Sequence, residues 1–269
     1  LNDIIRSLNA LSKGQTDLSV QVPHHRDEIA RLAGTFESFR KGIQAREQLQ
    51  RLHQELAVAE RIQQQYLPTR FPADRQLEFA ATMQPAREVG GDFYDVFTLP
   101  DGRIGVVIAD VSDKGMGAAL FMAAARTVIR SLGALTSDPA DCFARANRLL
   151  AEENDTMMFV TAFYAVLTPE TGHVTYCCSG HNPPVHVAAS GTPTWLPVRR
   201  QPALGVVENA HYVSDSLTLS QNDCLFLYTD GITEVVSDTG EMFEEDRLAY
   251  ALAEAGAGSA RAGVDRVLE

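Results

Sequence analysis

Val89-Gly90-Gly91-Asp92-Phe93-Tyr94-Asp95 and, after an apolar interval, Asp110-Val111-Ser112-Asp113-Lys114-Gly115 decide how this chain folds. Between them, Pro100-Asp101-Gly102 reads as a turn, which makes the apolar runs at 92–99 and 103–111 the two arms of a β-hairpin. Asp92 opens one arm and Asp110 closes the other. Antiparallel pairing therefore sets both carboxylates at one edge of a sheet. Two carboxylates held together repel unless a cation lies between them. Gly90 and Gly91 remove side-chain bulk just before Asp92. Gly115 and Gly117 do the same at the positive end of the helix that follows. A third acid, Asp230, sits in Thr229-Asp230-Gly231-Ile232-Thr233-Glu234, after the apolar strand 224–228. Oxygen ligands brought from distant segments suit magnesium or manganese, and two such ions can activate water for phosphate chemistry.

Outward from the hairpin, strands are predicted over 77–84, 158–167, 174–179, 185–188, 213–219 and 224–228. Helices are predicted over 118–132, 139–153, 246–255 and 260–268. Pro169-Glu170-Thr171-Gly172 marks another hairpin turn. Strands in runs, then helices, then strands, indicate an α+β fold with antiparallel sheets. Strict βα alternation is absent, which argues against a Rossmann-type sheet.

The first third is helical and charged. Leu1, Ile4, Leu8 and Leu11 form a seam at three-four spacing, and Gly14 ends it. An extended connector follows, with Leu18, Val20 and Val22 alternating and Pro23 closing it. Asp27 and Glu28 open a second helix, where acids suit the dipole. Its apolar positions are Ile29, Leu32, Phe36, Phe39 and Ile43. This order resembles a HAMP module, the parallel helical relay beneath membrane sensors, over residues 1–45. The helix is expected to run on to about Leu67 as a coiled-coil linker, 46–68, with a second seam at Leu49, Leu52, Leu56 and Ala59. The six-residue step from Ile43 to Leu49 breaks the heptad. It is either ordinary phase drift or a rotation-sensitive joint. Pro68 and Pro72 mark the boundary of a further domain, 69–269.

The chain has 269 residues, 45% of them hydrophobic, enough for a sizeable core. Its formal net charge of -12 comes with no basic stripe, which argues against nucleic-acid binding. Four cysteines, none in a C-x-x-C pair, read as reduced, mostly buried thiols of a cytosolic protein. No apolar run approaches the roughly 20 residues of a membrane span. The chain begins at Leu1 in mid-pattern, so it is expected to be a piece of a longer protein.

Taken in order, the three acidic motifs resemble the SpoIIE/RsbU group of PPM (type 2C-like) protein phosphatases. Ala59-Glu60-Arg61-Ile62-Gln63 through Tyr66-Leu67-Pro68 resembles the helix preceding that domain. Ser179-Gly180-His181-Asn182-Pro183-Pro184 and Pro202-Ala203-Leu204-Gly205-Val206 are similar to its middle segments. The resemblance spans about 57–248. It implies an αββα sandwich of two antiparallel sheets flanked by helices, holding two Mn²⁺ or Mg²⁺ ions at one edge. Asp92 and Asp110 would hold a bridging water, with Asp110 and the Val111 carbonyl on one ion and Asp230 on the other. Arg87, five residues before Asp92, has the spacing of a phosphate-binding arginine. The implied activity is hydrolysis of phosphoserine or phosphothreonine in a bacterial signalling pathway. The implied partner is a phosphorylated STAS (anti-anti-sigma-like) protein. The N-terminal helices would form a homodimer, tethered through a preceding region to the cytoplasmic face of the inner membrane.

The chain departs from the family at two points, Ser112 and the end of the chain. Ser112 stands where related enzymes carry a histidine, so leaving-group protonation would fall to water. His181 reads as structural. The family's closing strand, with a further metal-binding Asp, is not reached by Glu269, and Asp265 does not fit it. The loop at 237–247 could gate the substrate or simply cross the surface. An alternative reading is therefore a degenerate phosphatase fold that binds a partner without turnover. A dimerising coiled coil over 1–67 is compatible with either.

Overall fold

The computed structural model describes residues 2–11, 28–85, 89–152, 154–237, 239–256 and 258–269. It comprises two compact units, Leu1–Ala59 and Glu60–Glu269. In the first, helix α1 spans Asn2–Leu11 and helix α2 begins at Glu28. The expected connector, with Gly14, Leu18, Val20, Val22, Pro23 and Asp27, lies outside the described residues. α2 runs unbroken over Glu28–Tyr66, and no Gly or Pro occurs between Ile43 and Tyr66 to interrupt it. Pro68 bars the preceding residue from helical geometry, so the helix stops there. Ala33 and Phe36 are buried, while Leu32, Phe39, Leu49 and Leu52 lie open to solvent.

The second unit is built from strands β1 (Phe93–Thr98), β2 (Ile104–Val111), β3 (Val160–Thr168), β4 (His173–Ser179), β5 (Val185–Val187), β6 (Pro193–Trp195), β7 (Asp215–Thr218) and β8 (Cys224–Phe226). Helices α3 (Met116–Gly133) and α4 (Pro139–Ala151) fall between β2 and β3. The short α5 (Asp230–Thr233), α6 (Glu244–Ala255) and α7 (Ala260–Leu268) close the chain. One sheet has the order β1-β2-β3-β4-β7 and the other β6-β5-β8, and every pairing is antiparallel.

Period-two alternation divides the large sheet into two faces. Phe93, Phe97, Val107, Ala109, Val111, Ala162 and Tyr164 pack on Met122, Ala125 and Ile129 of α3 and Phe143 and Ala146 of α4. On the opposite face, Ile108, Phe163, Ala165 and Tyr176 meet Leu225 of the small sheet. The far side of the small sheet, Val185 and Val187, packs with Leu248 and Leu252 of α6 and Val267 of α7. The layers are thus helix, sheet, sheet, helix: the αββα sandwich the resemblance implies.

Both hairpin turns close as expected. The Leu99 N–H donates to the Arg103 carbonyl at 2.7 Å, and Gly102 takes a φ of 88°. The Gly172 N–H donates to the Thr168 carbonyl at 3.0 Å.

Two local expectations are corrected, and one strand is present that was not expected. Residues 77–84 form no strand: Leu77 packs into the inter-sheet core and Phe79 meets the Phe71 ring at 6.1 Å, so their apolar pattern serves packing without a ladder. β6, at Pro193–Trp195, carries too little apolar alternation to be read from sequence. β8 ends at Phe226, short of the expected 228, and Asp230 begins a helical turn.

The hairpin motif also carries an acid with a separate task. Asp95 is 1% exposed and points to the α3 side, where it accepts from Arg130 at 2.8 Å and pairs with Arg126 at 2.9 Å. Arg130 also lies over the Phe97 ring, 4.8 Å from its centroid. Breaking a buried ion pair strands the remaining charge, at a cost of about 3–5 kcal/mol. Asp95→Ala should lose stability in that range by urea denaturation. A loss under about 1 kcal/mol would show that the arginines re-solvate freely.

Candidate active site

The hairpin register sets the site's first pair. Phe93 pairs with Ala109, so Asp92 falls opposite Asp110 one step further along. Both belong to the face that looks toward the second sheet, because Phe93, Ala109 and Val111 face α3. Their carboxylates are close enough for the Asp92 charge to act on Asp110. Burial, then the Asp92 carboxylate, then the field of Asp230 push the Asp110 carboxyl up to about 8. Asp230 is likewise raised, by burial first and then by Glu234 and Asp92. Lys114 draws both Asp110 and Asp230 the other way.

Asp230 reaches this edge through its neighbour. The Thr229 hydroxyl donates to Asp92 Oδ2 at 2.8 Å, tying the end of the small sheet to the start of β1. Gly91 supplies the clearance. A Cβ there would stand 2.6 Å from the Val111 carbonyl oxygen and 3.3 Å from Asp110 Oδ1. That carbonyl and carboxylate therefore face a notch that only glycine leaves open. Behind it, Gln63 of α2 clamps the Gly90 backbone: its amide donates to the Gly90 carbonyl, and the Gly90 N–H donates to its Oε1 at 3.1 Å. Gln63 is buried. No periodicity marks it, and only its place in the segment preceding the domain singled it out.

The fold brings Asp92, Asp110 and the Val111 carbonyl together, with Asp230 close enough to act on both acids electrostatically. Among the described residues, no three His, Cys, Asp or Glu side chains form a group able to hold a metal ion by themselves. The donor set still fits a hard cation. Magnesium keeps several waters and is commonly held by one or two carboxylates, and the mutual repulsion of Asp92 and Asp110 is what a cation would relieve. Arg87 lies outside the described residues. Ser112, in the position of the family histidine, instead accepts from the Phe159 N–H at 2.9 Å. All four cysteines are free, and burial pushes Cys142 and Cys177 up to about 12, so they are packing residues.

A two-sheet sandwich with paired acids at its edge defines a PP2C-type phosphatase fold. The SiaA-PP2C domain of Pseudomonas aeruginosa shares it, with a TM-score of 0.68 at 18% identity, covering 82% of this chain and 89% of that one. The model of stage II sporulation protein E (SpoIIE) matches residues 100–269 and the HAMP domain model residues 1–45; the chain belongs to the SpoIIE family and carries a HAMP domain ahead of it. Protein IcfG of Synechocystis sp. is 31% identical over 91% of this chain and 44% of its own length. Phosphoserine phosphatase RsbU of Bacillus subtilis is 29% identical over 77% of this chain and 60% of its own length. The chain thus spans about half the length of the curated relatives it matches. No helix among the described residues is long and apolar enough to cross a membrane.

Proposed function

We propose that this region is the catalytic part of a metal-dependent phosphoserine/phosphothreonine protein phosphatase in a bacterial signalling pathway. The observation that carries the reading is the cross-strand placement of Asp92 opposite Asp110 beside the notch at Gly91. Asp110 and the Val111 carbonyl would hold one divalent ion and Asp230 the other, with Asp92 and Asp110 positioning the attacking water. When bound, Mn²⁺ or Mg²⁺ makes a water acidic enough to attack phosphorus in line near neutral pH. The chain's own residues position that chemistry. Thr229 fixes the Asp92 carboxylate, Gly91 keeps the approach open, and Lys114 offsets part of the negative charge that an incoming phosphate meets. Arg87 is assigned to the substrate phosphate, whose oxygens a guanidinium fork fits.

The substrate we assign is a phosphorylated STAS-type protein, a class suggested by resemblance to the RsbU group. The solvent-facing apolar side chains of α2, Leu32, Phe39, Leu49 and Leu52, support a homodimer through the N-terminal helices. The HAMP match supports coupling to a membrane sensor at the cytoplasmic face of the inner membrane.

Release of phosphate from a phosphorylated STAS protein, followed with and without Mn²⁺, tests the reading. Turnover should require the metal and disappear in Asp92→Ala and Asp230→Ala. That no self-sufficient three-residue ligand group occurs among the described residues favours a second reading, a fold that captures its partner without turnover. Tight binding of the phosphoprotein with no phosphate released at any Mn²⁺ concentration would establish that reading.

A further inference from the structure

The chemistry above leaves the turn between β4 and β5 unused. Yet its most buried polar side chain lies between two segments that carry site acids. His181 is 6% exposed. Its Nδ1 is 3.0 Å from the Thr161 hydroxyl. Thr161 is the β3 residue paired with Asp110, and the same hydroxyl is 3.4 Å from the Asp110 carbonyl oxygen. Four residues on, Val185 of β5 pairs with Phe226 of β8, the strand that leads toward Asp230. Nε2 is buried and has no partner in hydrogen-bond geometry. Just past β8, the Tyr228 hydroxyl accepts from Trp195 Nε1 at 3.4 Å. The turn therefore runs from the strand partner of Asp110 to the strand ahead of Asp230.

The Thr161 hydroxyl has one proton to give. It donates to the Asp110 carbonyl at 3.4 Å or to Nδ1 at 3.0 Å, according to which ring nitrogen carries the hydrogen. A neutral imidazole is the form that burial favours here, since desolvation outweighs the opposing field of Asp92 and holds the ring at about 4.

We propose that His181 is a positioning residue, a buried spacer that sets the separation between the Asp110 strand and the segment leading into Asp230. Its consequence for metal binding rests on the phosphatase reading, whereas the spacing itself does not. Hydrogen exchange at residues 228–234 and Mn²⁺ binding followed by electron paramagnetic resonance test it on the whole chain. The variants are His181→Ala, the milder Thr161→Val, and His181→Asn, which keeps an acceptor at the Nδ1 position.

His181→Ala and Thr161→Val should exchange about tenfold faster at 228–234 and bind Mn²⁺ about ten- to a hundredfold more weakly. His181→Asn should recover most of both. A Thr161→Val chain with unchanged exchange and unchanged Mn²⁺ affinity would overturn the proposal, whatever His181→Ala does to the melting temperature. If the unsubstituted chain binds no Mn²⁺, the metal reading fails. Exchange at 228–234 then decides the spacer role alone: faster exchange supports it and unchanged exchange overturns it.

Discussion

Asp110→Asn should abolish metal-dependent phosphate release, with a loss beyond the roughly hundredfold that removal of an outer hydrogen-bond partner costs a metal site. The same substitution should change how the metal-free chain responds to pH. The Asp110 carboxyl is raised from its ordinary 3.8 to about 8, chiefly by burial and then by Asp92 and Asp230. Between those two values the folded chain holds a proton that the unfolded chain has released, so stability falls as pH rises. The favourable contribution is complete below about pH 4 and gone above about pH 8. Asn cannot ionise. The variant's melting temperature should therefore vary less with pH across that window, gaining on the unsubstituted chain toward pH 8. Added Mn²⁺ should stabilise the unsubstituted chain and leave the variant almost unmoved. Parallel pH dependences with equal metal response in the two proteins would remove Asp110 from the site.

Gly91→Ala should cost about 1–3 kcal/mol and most of the affinity for Mn²⁺. The added methyl would lie 2.6 Å from the Val111 carbonyl oxygen, a main-chain atom that cannot swing aside as a side chain could. Either β1 moves away from β2 or the carbonyl turns from the notch, and both disturb the Asp92–Asp110 pair. Gly90→Ala is the matched control, because its nearest contact is Pro85 Cβ at an ordinary 3.7 Å. Thermal melts and Mn²⁺ titration of the two variants decide the matter. Equal effects would mean that the motif is sensitive to any loss of glycine, with no special role for the approach at residue 91.

Much of this was legible in the chain because it depends on local rules. A Pro-Asp-Gly turn with apolar arms on both sides forces the register, and the register forces Asp92 and Asp110 onto one edge. The long helix was legible because nothing between Ile43 and Tyr66 breaks it, and Pro68 does. Short strands fared worse. Residues 77–84 have strand-like alternation, but alternation records which side chains are buried and not whether a backbone partner is present. β6 has three residues and no pattern of its own, so its pairing with β5 is a tertiary fact.

The sequence by itself determined the hairpin, the antiparallel α+β class and the acids placed at strand ends, since each follows from turn chemistry and periodicity along adjacent residues. Only the tertiary structure decided the division of labour among the polar groups. Asp95, in the same motif as Asp92, faces α3 and pairs with Arg126 and Arg130. Thr229, Gln63 and His181 reach the site or its frame from segments far along the chain. Those contacts depend on how two sheets stack and which face each strand turns inward. Burial, which raises Asp110 and keeps His181 neutral, exists only after the layers have closed.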